Sequence, residues 1–224
     1  MSVIAFKKGV DMDLANPMQS VIPSAQGAVL NVLARTDEPL SGRRVAELTR
    51  PKFSQARVNA ILQKLADSGI VLRESSPPAN LYRLNKKHVA TEGILTLADM
   101  WATVLSRIRA ELANWSVRPE AAWLFGSAAR REARPESDID ILVVVPAGVM
   151  RSQGTSTVWQ LQTDALAENI KAWTGNSCEV LEMDAMELEA AVERDDRLIR
   201  DLRDQAVVLA GDDARIVLRR KAIR

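Results

Sequence analysis

Two short apolar runs constrain this chain more than anything else in it: Ala121–Phe125, and Ile139 to Val145, interrupted only by Asp140. Each is too short for a stable helix and is bounded by Gly, Ser or Pro, so both read as buried strands. Gly126 and Ser127 close the first run, while Asp138 and Asp140 open the second. Side chains alternate along a strand, so the two aspartates share one face and Ile139 points into the core. Neighbouring carboxylates repel unless a positive charge lies between them, and hard oxygen ligands at this spacing suit Mg²⁺, which completes its shell with water and phosphates. Gly126 permits a close backbone approach, Ser127 offers a hydroxyl, and the N–H groups of the next helical turn favour an anion. Arg130 supplies charge against a phosphate. The bland alternative is a polar hairpin that only solvates its own turn.

The order of residues goes further. Gly126-Ser127-Ala128-Ala129-Arg130, a polar insert, and Ser137-Asp138-Ile139-Asp140 resemble the signature of the polymerase beta-like nucleotidyltransferase superfamily, especially its minimal bacterial and archaeal members. The resemblance covers about Pro119 to Gly211. It implies a small mixed sheet flanked by helices and transfer of a nucleotidyl group from a nucleoside triphosphate, ATP included, to an acceptor hydroxyl with two Mg²⁺ ions. Asp138 and Asp140 would hold the metals, and Gly126, Ser127, Arg130 and Ser137 would contact the triphosphate. A third carboxylate is expected on a later strand, and Glu179, in Cys178-Glu179-Val180-Leu181-Glu182, is the candidate, with Glu182 the runner-up. If Glu179 faces the site, Glu182 faces away. Two residues depart from the family pattern: Arg131 stands where glycine is frequent, and Glu179 where the third acid is commonly Asp.

Ahead of this segment the chain changes character. From Ser24 to Ala90 there are eleven basic residues against five acidic, about +6 in a chain whose formal total is +1, which leaves about −5 elsewhere. Ala28, Val29, Val32 and Leu33 recur at helical spacing; Ser41 and Ser54 are good caps for two further helices, the last carrying Val58, Ile61, Leu62 and Leu65. Ile70-Val71-Leu72 and Leu81-Tyr82-Arg83-Leu84 flank a turn-rich tip and read as a hairpin. Three short helices and a hairpin resemble a winged helix-turn-helix domain. By that resemblance the third helix reads double-stranded DNA with Gln55, Arg57, Asn59, Gln63 and Lys64, while Arg73 and Arg83 flank the wing.

The expected organisation is α+β: an extended arm over 1–23, a winged helix-turn-helix domain over 24–90, and a nucleotidyltransferase domain over 91–224 whose residues 91–118 form a connecting helix packed on the second domain. Residues 157–173 and 186–202 read as helices, and Asp213 to Arg224 as a basic helix or tail. A single cysteine, Cys178, fits a reducing compartment. No run approaches a membrane-spanning length, and the expectation is a cytoplasmic protein without membrane contact, possible as a homodimer. His88, Cys178, Trp101 and Trp115 read as structural residues. Against a Mg²⁺-dependent nucleotidyltransferase coupled to DNA stands an alternative, a transcription regulator whose second domain binds nucleotide without catalysis. Acceptor and DNA target are not legible.

Overall fold

The computed structural model of the chain describes residues 11–132 and 137–222. Asn16–Trp101 forms one compact unit, and 102–222 with 11–15 forms the other.

The first unit begins with α1 (Pro17–Val21) and α2 (Ala25–Ala34), continues through β1 (Leu40–Ser41), α3 (Gly42–Leu48) and α4 (Gln55–Asp67), and closes with β2 (Val71–Ser76), β3 (Ala79–Leu84) and α5 (Ala90–Ala98). Serine starts three of its helices. Ser24, Ser41 and Ser54 side chains accept from the N–H groups of Gly27, Arg44 and Arg57, each satisfying a donor the helix leaves open. The strands form an antiparallel sheet in the order β1-β3-β2. Val29, Leu33, Val45, Val58, Leu62, Leu65, Tyr82 and Ile94 share its core, and each large apolar side chain removed from water contributes about 1.5–3 kcal/mol.

Two expectations change here. Part of the stretch expected as an extended arm is the helix α1: Pro17 sits at its first turn, where a missing N–H costs nothing, and Met18 is fully buried. The long helix expected from Thr91 to Asn114 is two. It stops at Asp99, whose N–H bonds back to Leu95 and Thr96, and restarts as α6 (Met100–Ala113). The first piece buries Ile94 in the core of the first unit rather than the second. His88 is structural: its Nδ1 accepts from Ala90 N–H at the start of α5.

The second unit runs β4 (Ala121–Phe125), α7 (Gly126–Ala129), β5 (Ile139–Val144), a short 3₁₀ turn, α8 (Gln153–Thr174), β6 (Cys178–Met183), α9 (Ala185–Arg194), α10 (Arg197–Gln205), β7 (Val207–Ala210) and α11 (Ala214–Ala222). Its sheet has the order β6-β5-β4-β7; β5 and β6 are parallel, the other pairs antiparallel. On one face Trp123, Leu142 and Val144 meet Leu188, Val192, Ile199, Leu202 and Leu218 from α9, α10 and α11. Trp123 Nε1 donates to the Asp212 carbonyl at 2.9 Å, so burying the indole leaves no donor unpaired. The helix expected over 186–202 breaks at Asp195, which takes a left-handed backbone with φ 49°. Its carboxylate then accepts from Arg203 at 2.8 Å.

Candidate functional site

Strand pairing builds the acid cluster. Antiparallel pairing sets Phe125 opposite Asp140, and parallel pairing sets Glu179 opposite Asp140. Asp140 therefore lies between the end of β4 and the third acid. By alternation Asp138, Asp140 and Glu179 share the face that carries Leu142 and Leu181 into the α9–α11 core. Glu182 falls on the opposite face, where its carboxylate accepts from Trp159 Nε1 at 2.6 Å. Trp159 is fully buried and packs edge-on against Trp115, 5.4 Å between centroids.

Asp140 feels both its burial and its acidic neighbours. Burial raises the Asp140 carboxyl above its usual range, Glu179 and Asp138 raise it further, and Arg130 opposes them. The Cys178 thiol is pushed up to about 12, by burial first and then by Asp140, Asp138 and Glu179. It is a protonated, unreactive thiol at neutral pH. Asp138 and Glu179 are exposed, while Asp140 is half-buried.

Gly126 is required by Asp140. Its φ is 69°, and a Cβ there would run into the Asp140 carboxylate, with Cγ 3.3 Å away. The space beside Gly126 expected for a phosphate is first of all the space of this acid. From Gly126 the chain enters α7, only four residues long. It ends in a closed backbone motif: Arg131 N–H donates to the Ala128 carbonyl and Glu132 N–H to that of Ser127, at 3.2 and 3.0 Å. Such a motif needs a left-handed residue, and Arg131 supplies it with φ 57°. The residue that departs from the family pattern thus keeps the backbone conformation that a glycine would favour.

Ser127 is half-buried on this turn. Arg130 points its guanidinium to Glu132 at 2.9 Å and to Gln205 of α10 at 3.3 Å. The Ser137 carbonyl accepts from Asn176 Nδ2 at 3.1 Å. Neither Gln205 nor Asn176 has a signal in the sequence. A cleft of about 400 Å³ beside α6 and α8, lined by residues including Trp115, Val158, Leu161 and Gln162, contains none of these acids. The acids lie at the N-terminal ends of β5 and β6.

Their chemistry fits a divalent cation. Carboxylates at adjoining strand ends repel unless a positive charge lies between them, and oxygen-only ligands suit Mg²⁺. Among the described residues no group of three or more His, Cys, Asp or Glu side chains is already placed to hold a metal ion. Asp138, Asp140 and Glu179 are an open cluster of donors.

In the first unit the expected DNA-contacting residues separate. Arg57, Asn59 and Lys64 are exposed on α4, as is Gln55 at its first turn. The Arg57 guanidinium stacks 5.2 Å over the Phe53 ring. Asn59 lies against Gly42 of α3, where a Cβ would collide with its side-chain oxygen. Gln63 is engaged twice, donating to Asp67 at 2.7 Å and accepting from Arg73 at 2.8 Å. Arg73 pairs with Tyr82 and Arg83 with Leu72, so the two arginines project from opposite faces of the hairpin. No single face of the hairpin presents both.

Comparison with known proteins gives the second unit a relationship. Residues 105–209 match the family model of the nucleotidyltransferase domain. No curated protein matches the chain. Among solved structures, a toxin–antitoxin crystal structure with AMP-PNP is 18% identical with a TM-score of 0.37, covering 53% of this chain and 84% of that one. A mutant of the toxin–antitoxin MntA-HpeT is 16% identical with a TM-score of 0.36 over the same shares. TrmBL2, an archaeal chromatin protein described with a mode of DNA binding, is 11% identical with a TM-score of 0.29, covering 84% of this chain and 77% of that one. At these scores none of the three fixes the architecture or the substrate of this chain.

Proposed function

We propose that the second unit transfers a nucleotidyl group from a nucleoside triphosphate to an acceptor hydroxyl, and that the first unit is a winged helix-turn-helix that binds duplex DNA. The observation that carries the enzymatic reading is the register that sets Glu179 against Asp140 and Asp140 against the end of β4, beside Gly126. Asp138, Asp140 and Glu179 would hold divalent metal, which when bound stabilises charge on attacking and leaving oxygens of an in-line displacement. The protein's own part is positioning. Ser127 offers its hydroxyl, and the left-handed entry at Gly126 and exit at Arg131 fix the direction of the turn that carries it. Arg130 is held by Gln205 and Glu132 in the neighbourhood of Asp140, where its charge serves a phosphate. Glu182, bonded to Trp159, takes no part.

For DNA, the support is the order of helices and hairpin, the regional charge of about +6 from Ser24 to Ala90, and the exposure of Arg57 and Lys64 on α4. The test of the enzyme is direct: labelled nucleoside triphosphates with Mg²⁺ are offered protein, RNA and small hydroxyl acceptors. Transfer that disappears in Asp138→Asn and Asp140→Asn is expected. Metal binding without transfer to any acceptor would favour the regulator that binds nucleotide only, and absence of both would end the nucleotidyltransferase reading.

A further inference from the structure

Asn176 is completely buried, and its amide joins two stretches of chain far apart in sequence. Its Oδ1 accepts from Met12 N–H at 3.1 Å, while Nδ2 donates to the Met12 carbonyl at 3.2 Å and to the Ser137 carbonyl at 3.1 Å. The amide is fixed from behind as well. Asn176 N–H donates to Thr174 Oγ1 at 3.1 Å, and that hydroxyl donates to the Ile170 carbonyl at 2.7 Å in the last turn of α8. One residue beyond Asp138, Ile139 N–H donates to the Ser177 carbonyl at 2.9 Å. The backbone is therefore gripped on either side of Asp138, at 137 and at 139, by the turn 176–177.

We propose that Asn176 is a positioning residue for the carboxylates. It fixes the Ser137 carbonyl, and so the backbone from which Asp138 projects, and it does so as part of a clasp whose other half is the Met12 backbone. The segment around Met12 thereby becomes a component of the site. An amide is the one small side chain that serves here, because it presents a donor and an acceptor in one plane where water does not reach. Aspartate would lose the donors, and an apolar residue would leave the backbone groups of Met12 and Ser137 without these partners. This inference rests on the reading of Asp138, Asp140 and Glu179 as a divalent-cation site.

The experiment measures Mn²⁺ binding by calorimetry on the full chain, together with the Mg²⁺ dependence of transfer. Asn176→Asp keeps the acceptor for Met12 N–H and removes both donations. Met12→Pro removes the N–H that meets both Asn176 Oδ1 and the Thr174 carbonyl, leaves the Asn176 side chain intact, and carries the test should the first variant fail to fold. Leu218→Ala, a cavity at a fully buried position of α11 outside the clasp, serves as a variant that is destabilised only. Both clasp variants are expected to weaken Mn²⁺ binding about tenfold or more and to shift half-saturating Mg²⁺ equally, with the KM for nucleotide at saturating Mg²⁺ changing less. Leu218→Ala should melt earlier and bind Mn²⁺ as the unaltered chain does. Wild-type affinity in the clasp variants overturns the proposal, as does equal weakening in Leu218→Ala. If the unaltered chain binds no Mn²⁺ that Asp140→Asn abolishes, the cation-site reading itself falls, and this one with it.

Discussion

Asp140 works against the fold. Its carboxyl is raised by burial and by Glu179 and Asp138, and an acid raised in the folded state stabilises only while protonated. That contribution is complete below the unfolded aspartate value, near about pH 3.9, and is lost as pH rises through the raised folded value. At neutral pH without divalent cation, the ionised group is a net cost. Asp140→Asn is therefore expected to raise the melting temperature at pH 7 while abolishing Mn²⁺ binding, and the advantage should vanish below pH 4. Thermal melts at the two pH values decide it, and a lower melting temperature at pH 7 would contradict it. Arg131 is a second strained residue. A left-handed non-glycine costs about 1–2 kcal/mol, and glycine returns about 0.5–1 of that through a freer unfolded chain, so Arg131→Gly should stabilise by about 0.5–1 kcal/mol in urea unfolding. Gly126→Ala does the opposite. A methyl group beside the Asp140 carboxylate displaces the acid, and misplacement on the order of 1 Å can cost about 100-fold in turnover.

Among the elements, strands were more readable than their partners. The run 121–125 is a strand with those bounds, and 139–145 loses only its last residue, because short apolar runs between turn residues have few other ways to be buried. Which strand lies beside which is absent from such runs. The parallel pairing of β5 with β6, which sets Glu179 against Asp140, follows from the α8 crossover and has no local signal. The helix breaks at Asp99 and Asp195 were invisible for a related reason. Neither involves Gly or Pro, and each depends on backbone bonds that close the preceding turn. On α4 the serine cap and the apolar stripe were legible, but the engagement of Gln63 with Arg73 and Asp67 was not. Arg57 and Lys64 accordingly carry the expectation for DNA. Changing each to Ala should weaken duplex binding and lower the salt slope by about 0.9, read by fluorescence anisotropy across a salt series. Unchanged affinity in both would remove α4 from the interface.

At the scale of the whole molecule, charge and acids are assigned to different units. The stretch Ser24 to Ala90 carries about +6, and the acid cluster belongs to a remainder of about −5. Substitutions should divide accordingly: Arg57→Ala lowers duplex affinity and spares nucleotidyl transfer without DNA, while Asp138→Asn abolishes transfer and spares duplex affinity. Measuring both activities on both variants checks this, and loss of transfer in Arg57→Ala would show the units to be coupled. No helix among the described residues is long and apolar enough to cross a membrane.

The turn that carries Ser127 has a further property. It is entered through a left-handed residue, Gly126, and left through another, Arg131, so the chain reverses its hand twice within six positions. Between those points its length is metered. One inserted residue would swing everything after it by about 100° around the helix axis, carrying Arg130 off its partners Glu132 and Gln205. The number of residues in this segment is constrained along with the identity of Gly126, and residues cannot be added or removed. It behaves as a gauge of fixed length, and tolerance to insertion should be lowest here in the second unit.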